Sequence, residues 1–564
     1  MFRESVFGQT LHFYGQMLPL AVSAARHASK SLAVLLVGAV LTSSSVSNAV
    51  QAAAAGDLDP SFDVDGKVST DFFGDADAAL DLVIQPDGRI VVGGSARNSA
   101  SNVDFALARY NRDGSLDASF GTGGKVTTDF LDIFDQANAL ALQPDGKIVA
   151  AGFTGDQMTR ADIALARYNS DGSLDASFGN GGKVVTDFAG GTDSALGIAL
   201  QPDGRMVAVG ASFVGTIGDF ALVRYNIDGS LDASFGVGGK VTTAFFEFGA
   251  ANAVGLLPDG RIIVAGSAFR SSTVNDFALA RYNRDGSLDE SFGAGGKVTT
   301  DFFGFTDRPT ALVLQPDGRV VAAGGANNLN STGFDFALAR YNDDGSLDSS
   351  FGEGGRTTTD FLGILDAADD VVLQPDGRIV AVGFTSKDFF GLQEDFALAR
   401  YDNNGKLDTK FGSGGKVTTD LFGDRDGASA VAIQIDGQLV VAGTAFNGST
   451  KNDFALARYI PISVPDFTLA IDPEPVDVEL GQKIKVKVSV NRTEGFVGDV
   501  RITAPDAERL NIVMTPSSAS TSGDPIKFRL KIKGSTPTGT HQLVFIGEDA
   551  LGRERTSTLT LEIK

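Results

Sequence analysis

The chain has 564 residues, with 47 basic and 70 acidic side chains and a formal net charge of −23 at pH 7. A surface of that sign repels nucleic acid and anionic membranes through long-range Coulomb forces. Cysteine and tryptophan are absent and histidine occurs only at His12, His27 and His541, which excludes disulfides and thiolate-ligated metals.

Residues 1–52 read as an export signal. Arg26 and Lys30 precede an apolar run over 32–41, and small residues follow, with cleavage expected after Ala49 or Ala52. The run is too short to span a bilayer. A short buried helix is the other reading, and Met17 is an alternative start. No second apolar run of membrane length follows, so the expected location is secreted, periplasmic or cell-surface. Without residues 1–52 the chain carries 44 basic and 69 acidic residues, and the excess lies almost wholly before residue 461.

From Asp57 to Tyr459 one phrase recurs seven times. It opens on Leu-Asp-x-Ser-Phe at Leu58, Leu116, Leu174, Leu231, Leu288 and Leu347, and at Leu407 with Lys410 in the serine position. Steps of 57–60 residues mean one supersecondary unit repeated in tandem. Residues 138–143 and 147–152 are short apolar runs around Pro144-Asp145-Gly146, which predicts strand, tight turn, strand. Residues 162–168 and 183–188 predict a third and a fourth strand, the latter rich in β-branched residues. The third strand alternates small and large residues, as Phe105, Ala106, Leu107 and Ala108 show. That alternation suits close packing of neighbouring sheets. The fold class expected is all-β, with a seven-bladed β-propeller over 57–459. Its last blade runs from Ser429 to Tyr459 with only three strands. The N-terminal strand over 67–72 is expected to supply the fourth and close the ring.

The residues 116–130, Leu-Asp-Ala-Ser-Phe-Gly-Thr-Gly-Gly-Lys-Val-Thr-Thr-Asp-Phe, followed by Gln-Pro-Asp-Gly at 143–146 and Ala-Leu-Ala-Arg-Tyr at 164–168, resemble the bacterial delta-60 repeat. The strand phasing is similar to that of NHL-type propellers. The resemblance implies an exported bacterial propeller protein and no particular reaction.

After a stiff linker over 460–465, residues 466–564 change character. Period-two alternation over 483–490 and 527–532 predicts strands with one wet and one buried face. About seven such strands suggest an immunoglobulin-like β-sandwich, and the region resembles bacterial Ig-like modules. A spacer or adhesive module is the implied role.

Little catalytic chemistry is available. Beyond the signal only His541 remains, so a serine–histidine–acid triad or a multi-histidine zinc site cannot be assembled in one chain. Phe-Gly-x-Gly-Gly recurs as a turn rather than as a phosphate loop. Asn111-x-Asp113-Gly-x-x-Asp117 and its copies faintly resemble calcium loops without the full ligand spacing, and a hairpin turn explains them in every repeat. No cofactor is expected, with calcium the one candidate. The repeated Arg109, Arg167, Arg224, Arg281, Arg340, Arg400 and Arg458 are expected to pair with repeated aspartates, because a buried arginine needs a partner.

A candidate ligand-binding face comes from Asp77, Asp135, Asp193, Asp307, Asp366 and Asp426, each eight residues before the glutamine of a Gln-x-Asp-Gly turn. The fourth copy has Gly249 there, and Ala244 in place of its strand-four aspartate. Loops joining the fourth strand to the next blade are expected to hold these aspartates. They would share a face with connections of varied length and sequence at 95–103, 153–161, 211–218, 267–275, 325–334, 384–394 and 444–452. Each aspartate serves either that face or only its own turn. Phe389 and Phe390 in the longest connection are either tucked under neighbouring blades or a contact patch. The expected function is non-enzymatic binding or adhesion to an extracellular or cell-surface protein or glycan. Two alternatives stand beside it: a polysaccharide-acting glycosidase or lyase using those carboxylates, and a structural envelope component.

Overall fold

The computed structural model describes residues 54–564 except for 100–101, 131–132, 157–160, 189, 215–216, 247, 272–273, 329–332, 362, 388–392, 424, 447–450, 461–466, 474, 493–499, 522–524 and 550–553. The expected export signal, most of the linker, and Phe389 and Phe390 lie outside the described residues.

A short strand, β1 (Lys67–Thr70), precedes seven units of one plan. The first unit consists of β2 (Asp77–Ile84), β3 (Ile90–Ser99), β4 (Asn102–Tyr110) and β5 (Lys125–Thr128), paired antiparallel in that order. Between β2 and β3 the Gln85 N–H donates to Arg89 O and the Gly88 N–H to Gln85 O, both at 2.8 Å, with Gly88 at φ 86°. Glycine suits that position because an L side chain avoids positive φ.

Every first strand carries a β-bulge. In β2 the pairing with β3 skips Leu80, and the same shift recurs in all seven units. The bulge presses the first strand onto the second, and a Cβ on Gly94 would lie 1.8 Å from Ala78 O. Glycine occupies the matching place in every unit, at Gly152, Gly210, Gly266, Gly324, Gly383 and Gly443, for the same reason.

The core lies between units. Phe105 and Leu107 of β4 pack with Ala164 and Ala166 of the next unit, while Ala106 and Ala108 meet Phe454 and Leu456 of the seventh. Small against large is what lets sheets approach closely. The first strands of successive units touch one another, and the seventh (Asp426–Ile433) touches β2. The seventh unit adds the strands Leu439–Phe446 and Asn452–Tyr459 but no fourth strand of its own. That place is taken by β1, in the antiparallel register Lys67↔Ala457 to Thr70↔Phe454. The seventh unit begins at Asp426, three residues before the expected start, because the strand includes the aspartate and the two residues after it.

Two buried polar ties repeat at the seams. The Tyr110 hydroxyl donates to Thr70 Oγ1 at 2.9 Å, and six further Tyr–Thr pairs match it, down to Tyr459 with Thr419. Burial pushes each of these tyrosine hydroxyls far above its ordinary pKa, so each stays a neutral donor. The expected arginine pairs are also present. Arg109 meets Asp117 at 2.8 Å and lies 4.6 Å over the Phe120 ring, and Arg458 meets Asp59 at 2.8 Å. The aspartate and the aromatic ring in each case come from the Leu-Asp-x-Ser-Phe phrase. A second guanidinium nitrogen of Arg109 donates to Ser170 O of the next unit, and one of Arg458 donates to Arg112 O of the first.

The strands from Phe467 to Ile563 form two sheets of four and five strands. Val486, Phe528 and Leu530 of one sheet share a core with Leu543, Phe545 and Leu561 of the other. Among the described residues there are nine strands, where about seven were expected, and a one-turn helix at Asp506–Arg509. The additions are short segments, such as Val476–Val478, too brief to show a period.

Candidate functional site

The two edges of the repeat sheets differ. One carries the Asp-Gly turns, which repeat closely in sequence and bonding. The other carries the connections of varied length. The registers Asp77↔Ala96 and Asp104↔Ala96 bring the start of a first strand, the end of the second and the start of the third to this edge.

Here three aspartates converge at six of the seven seams. Asp453 opens a third strand, Asp71 follows β1, and Asp77 opens the next first strand. One carboxylate oxygen from each lies within 4.8 Å of the others. The same constellation recurs as Asp104–Asp129–Asp135, Asp162–Asp187–Asp193, Asp276–Asp301–Asp307 and Asp335–Asp360–Asp366, with one more beyond these five. Asp395 and Asp420 crowd Asp426 in the same way.

The six candidate aspartates are therefore at or next to the start of first strands, not on loops. Asp77, Asp135, Asp193, Asp307, Asp366 and Asp426 are all at most 2% exposed. Each lies in its own seam, so the structure does not bring them together at one point. One oxygen of each serves its turn: Asp77 Oδ2 accepts the Phe72 N–H at 2.7 Å, and Phe130, Phe188, Phe302, Phe361 and Leu421 donate likewise. The other oxygen, Oδ1, is buried without a partner at hydrogen-bond geometry in all six, while the Thr154, Ser212 and Thr385 hydroxyls approach Asp135, Asp193 and Asp366 and lower their pKa. Burial, and then the neighbouring Asp71 and Asp453, push Asp77 up to about 7 against the Phe72 N–H that lowers it. Burial raises Asp307 to about 7 and Asp135, Asp366 and Asp426 to about 6, and raises Asp193 as well.

The same connections show a feature that the repeat pattern alone does not reveal. Phe72 turns inward, 5.0 Å from the Phe454 ring, while Phe73 points out and is 51% exposed. Phe245–Phe246 and Phe302–Phe303 divide in the same way, with Phe220 and Phe277 as the inner partners. Phe422 and Ile133 complete a set of exposed large apolar residues on five connections of this edge. For three of the five the readable signal is a doubled aromatic two residues past the fourth strand: one ring suffices for the core, and the second has no place there.

The turns that resemble calcium loops hold their carboxylates in protein contacts. Asp113 Oδ1 accepts from Ser115 N–H and Oγ–H, and Asp117 is paired with Arg109. A further group also escapes sequence reasoning. At or beside the bulge, polar residues cross to the next unit: Asp81 accepts the Leu140 N–H at 2.6 Å, Asp370 accepts the Val431 N–H at 2.8 Å, and Asn138, Asn252 and Thr310 donate to carbonyls. Burial raises Asp81 to about 7 and Asp370 to about 6. Asp369 rises to about 8, through burial and then the nearby Glu394 and Asp370. They stand either at the residue the pairing skips, which varies from unit to unit, or just after it, where Asp81 and Asp370 replace an alanine or glycine, and that replacement is the signal that could have found them. Among the described residues no helix is long and apolar enough to cross a membrane.

Comparison with known proteins bears on the fold. No curated protein matches the chain. Among solved structures, one described as a glucose dehydrogenase is 13% identical, with a TM-score of 0.29, and the match covers 57% of this chain and 95% of that one. Two structures of the surface-layer protein SbsC match at 12% and 11% identity, with TM-scores of 0.14. They cover 61% and 66% of this chain and 53% and 54% of theirs. The family described as "Domain of unknown function (DUF5122) beta-propeller" matches residues 85–120, 143–178, 201–235, 257–292, 315–351, 374–411 and 434–461. With one match in each structural unit, the chain is a repeat β-propeller protein carrying seven copies of that DUF5122 domain.

Proposed function

We propose that the protein is an exported, non-enzymatic scaffold that binds an extracellular or cell-surface protein or glycan through the edge bearing its variable connections. The observation that carries this reading is the set of exposed side chains Phe73, Phe246, Phe303, Phe422 and Ile133 on five corresponding connections. Exposed rings offer flat apolar platforms to a sugar face or a protein anchor, and a set of them exceeds the scattered apolar residue of an ordinary surface. In this reading the units are delta-60-type blades in a closed ring, latched where β1 completes the seventh. The pairing of β1 and the contacts of Arg458 with Asp59 and Arg112 support that closure. The two-sheet C-terminal region serves as an Ig-like spacer, and residues 1–52 direct export.

The test is binding of the full chain to bacterial envelope fractions and a panel of bacterial and plant polysaccharides. A variant combining Phe73→Ala, Phe246→Ala, Phe303→Ala and Phe422→Ala is expected to bind at least about tenfold more weakly with an unchanged melting temperature. Equal binding by that variant, or no binding by the parent chain, would contradict the reading.

A second reading, polysaccharide hydrolysis or elimination, draws on Asp369, whose raised pKa would let it hold a proton at neutral pH. Turnover of a polysaccharide that Asp369→Asn abolishes would favour it.

A further inference from the structure

We infer that the aspartate triads at the blade seams are binding sites for hard divalent cations of calcium's size, six to a chain. This inference does not depend on the binding role proposed above.

Three observations converge. The donor set is all-carboxylate, the oxygen chemistry that calcium prefers. The carboxylate oxygens lie within 4.8 Å of one another, close enough to share one ion at calcium–oxygen distances of about 2.4 Å. A buried carboxylate oxygen without a partner is costly, and Oδ1 is left without one at hydrogen-bond geometry in all six first-strand aspartates. The turn needs only Oδ2, which takes the backbone N–H. A turn cap therefore accounts for half of each carboxylate, and a cation accounts for the other half and for the two further aspartates drawn up to it.

The seam between the third and fourth units supplies an internal control. There Asp219 remains, but the other two positions are Ala244 and Gly249. Two of three carboxylates are lost together, as expected once a shared ligand is lost, and the connection between those two positions is one residue shorter than in the other six units. Aromatic packing fills that seam instead, with Phe248 lying 5.0 Å from Phe213 and 4.4 Å from Phe269.

Triads also sit beneath the turns that present Phe73, Phe303 and Phe422, whereas Phe246 lies at the seam without one. Asp71 Oδ1 accepts the Gly74 N–H at 2.6 Å, and Asp77 holds the Phe72 N–H, so Phe73 is gripped from both sides. A cation bridging the two carboxylates would lock that turn.

The test is calcium stoichiometry of the full chain after chelator treatment, by equilibrium dialysis against calcium chloride with elemental analysis of the protein. About six ions per chain are expected, falling by one in Asp301→Asn, which alters the exposed member of its triad, and unchanged in Asp219→Asn. The parent's melting temperature should rise with added calcium. Absence of saturable binding at millimolar calcium, or an unchanged count in Asp301→Asn, would overturn the inference. Should Asp301→Asn fail to fold, Asp129→Asn, also at an exposed member, gives the same reading with the same two outcomes.

Discussion

At the scale of single residues, the repeat hides two kinds of aspartate with opposite electrostatics. Those of the Leu-Asp-x-Ser-Phe phrase face arginine. Against the burial that raises it, hydrogen bonds from Ser234 and the charge of Arg224 lower Asp232 to about 2. A depressed carboxylate contributes stability that is fully present above its unfolded pKa of about 4 and is lost as pH falls through its folded value. The melting temperature should therefore hold from pH 7 to 5 as far as these pairs are concerned, and drop between about pH 4 and 2. A denaturation series over that range checks the window. Arg281 is 2% exposed, so Arg281→Ala removes the buried partner of Asp289, which keeps only the partly exposed Arg261, and should cost about 2 kcal/mol in urea unfolding. Asp369 is of the other kind. Its carboxyl is raised to about 8, so its ionisation opposes folding as pH rises from its unfolded value towards 8. Asp369→Asn should be more stable than the parent at pH 9, and the advantage should shrink by at least about 1.4 kcal/mol at pH 5, one pKa unit's worth. An advantage independent of pH would contradict this.

At the scale of elements, the strand pattern was legible because each rule acts locally. The Pro-Asp-Gly turns, the β-branched fourth strand and the alternation of Phe105, Ala106, Leu107 and Ala108 each depend on neighbours in the chain. The arginine–aspartate pairs were legible for a different reason: a charge repeated in a buried strand must recur with its partner. The bulge was not legible, since nothing in Ala79-Leu80-Asp81 marks which residue the pairing skips. Its only trace is the glycine opposite it, and that glycine sits among others. The misplaced boundary at Asp77 has the same origin, because an aspartate at a strand end looks like a turn residue until its burial is seen. Gly324→Ala tests the bulge, since the added methyl would lie 1.9 Å from Arg308 O. It should destabilise the chain by about 2 kcal/mol or more, whereas Gly318→Ala, in a turn with open space around it, should act only through its positive φ.

At the scale of the whole molecule, seven near-copies make a scaffold, and the features that break the repeat point to function. The paired loss of aspartate, to Ala244 and Gly249, was visible in the sequence, but its meaning needed the third aspartate, which the fold brings from another strand. The outward rings needed the fold as well, because Phe72 and Phe73 are distinguished only by which one finds a core. The account depends on the units being held in a ring by β1. The absence of cysteine allows a direct test. Ser69 and Ala455 are register partners across the latch. A chain with Ser69→Cys and Ala455→Cys should oxidise to an intramolecular disulfide at monomer mass and melt at a higher temperature, since the bond closes a very long loop and is worth roughly 6 kcal/mol in the chain-entropy account. Thiols that stay reduced, or that link only separate chains, would contradict the closed ring.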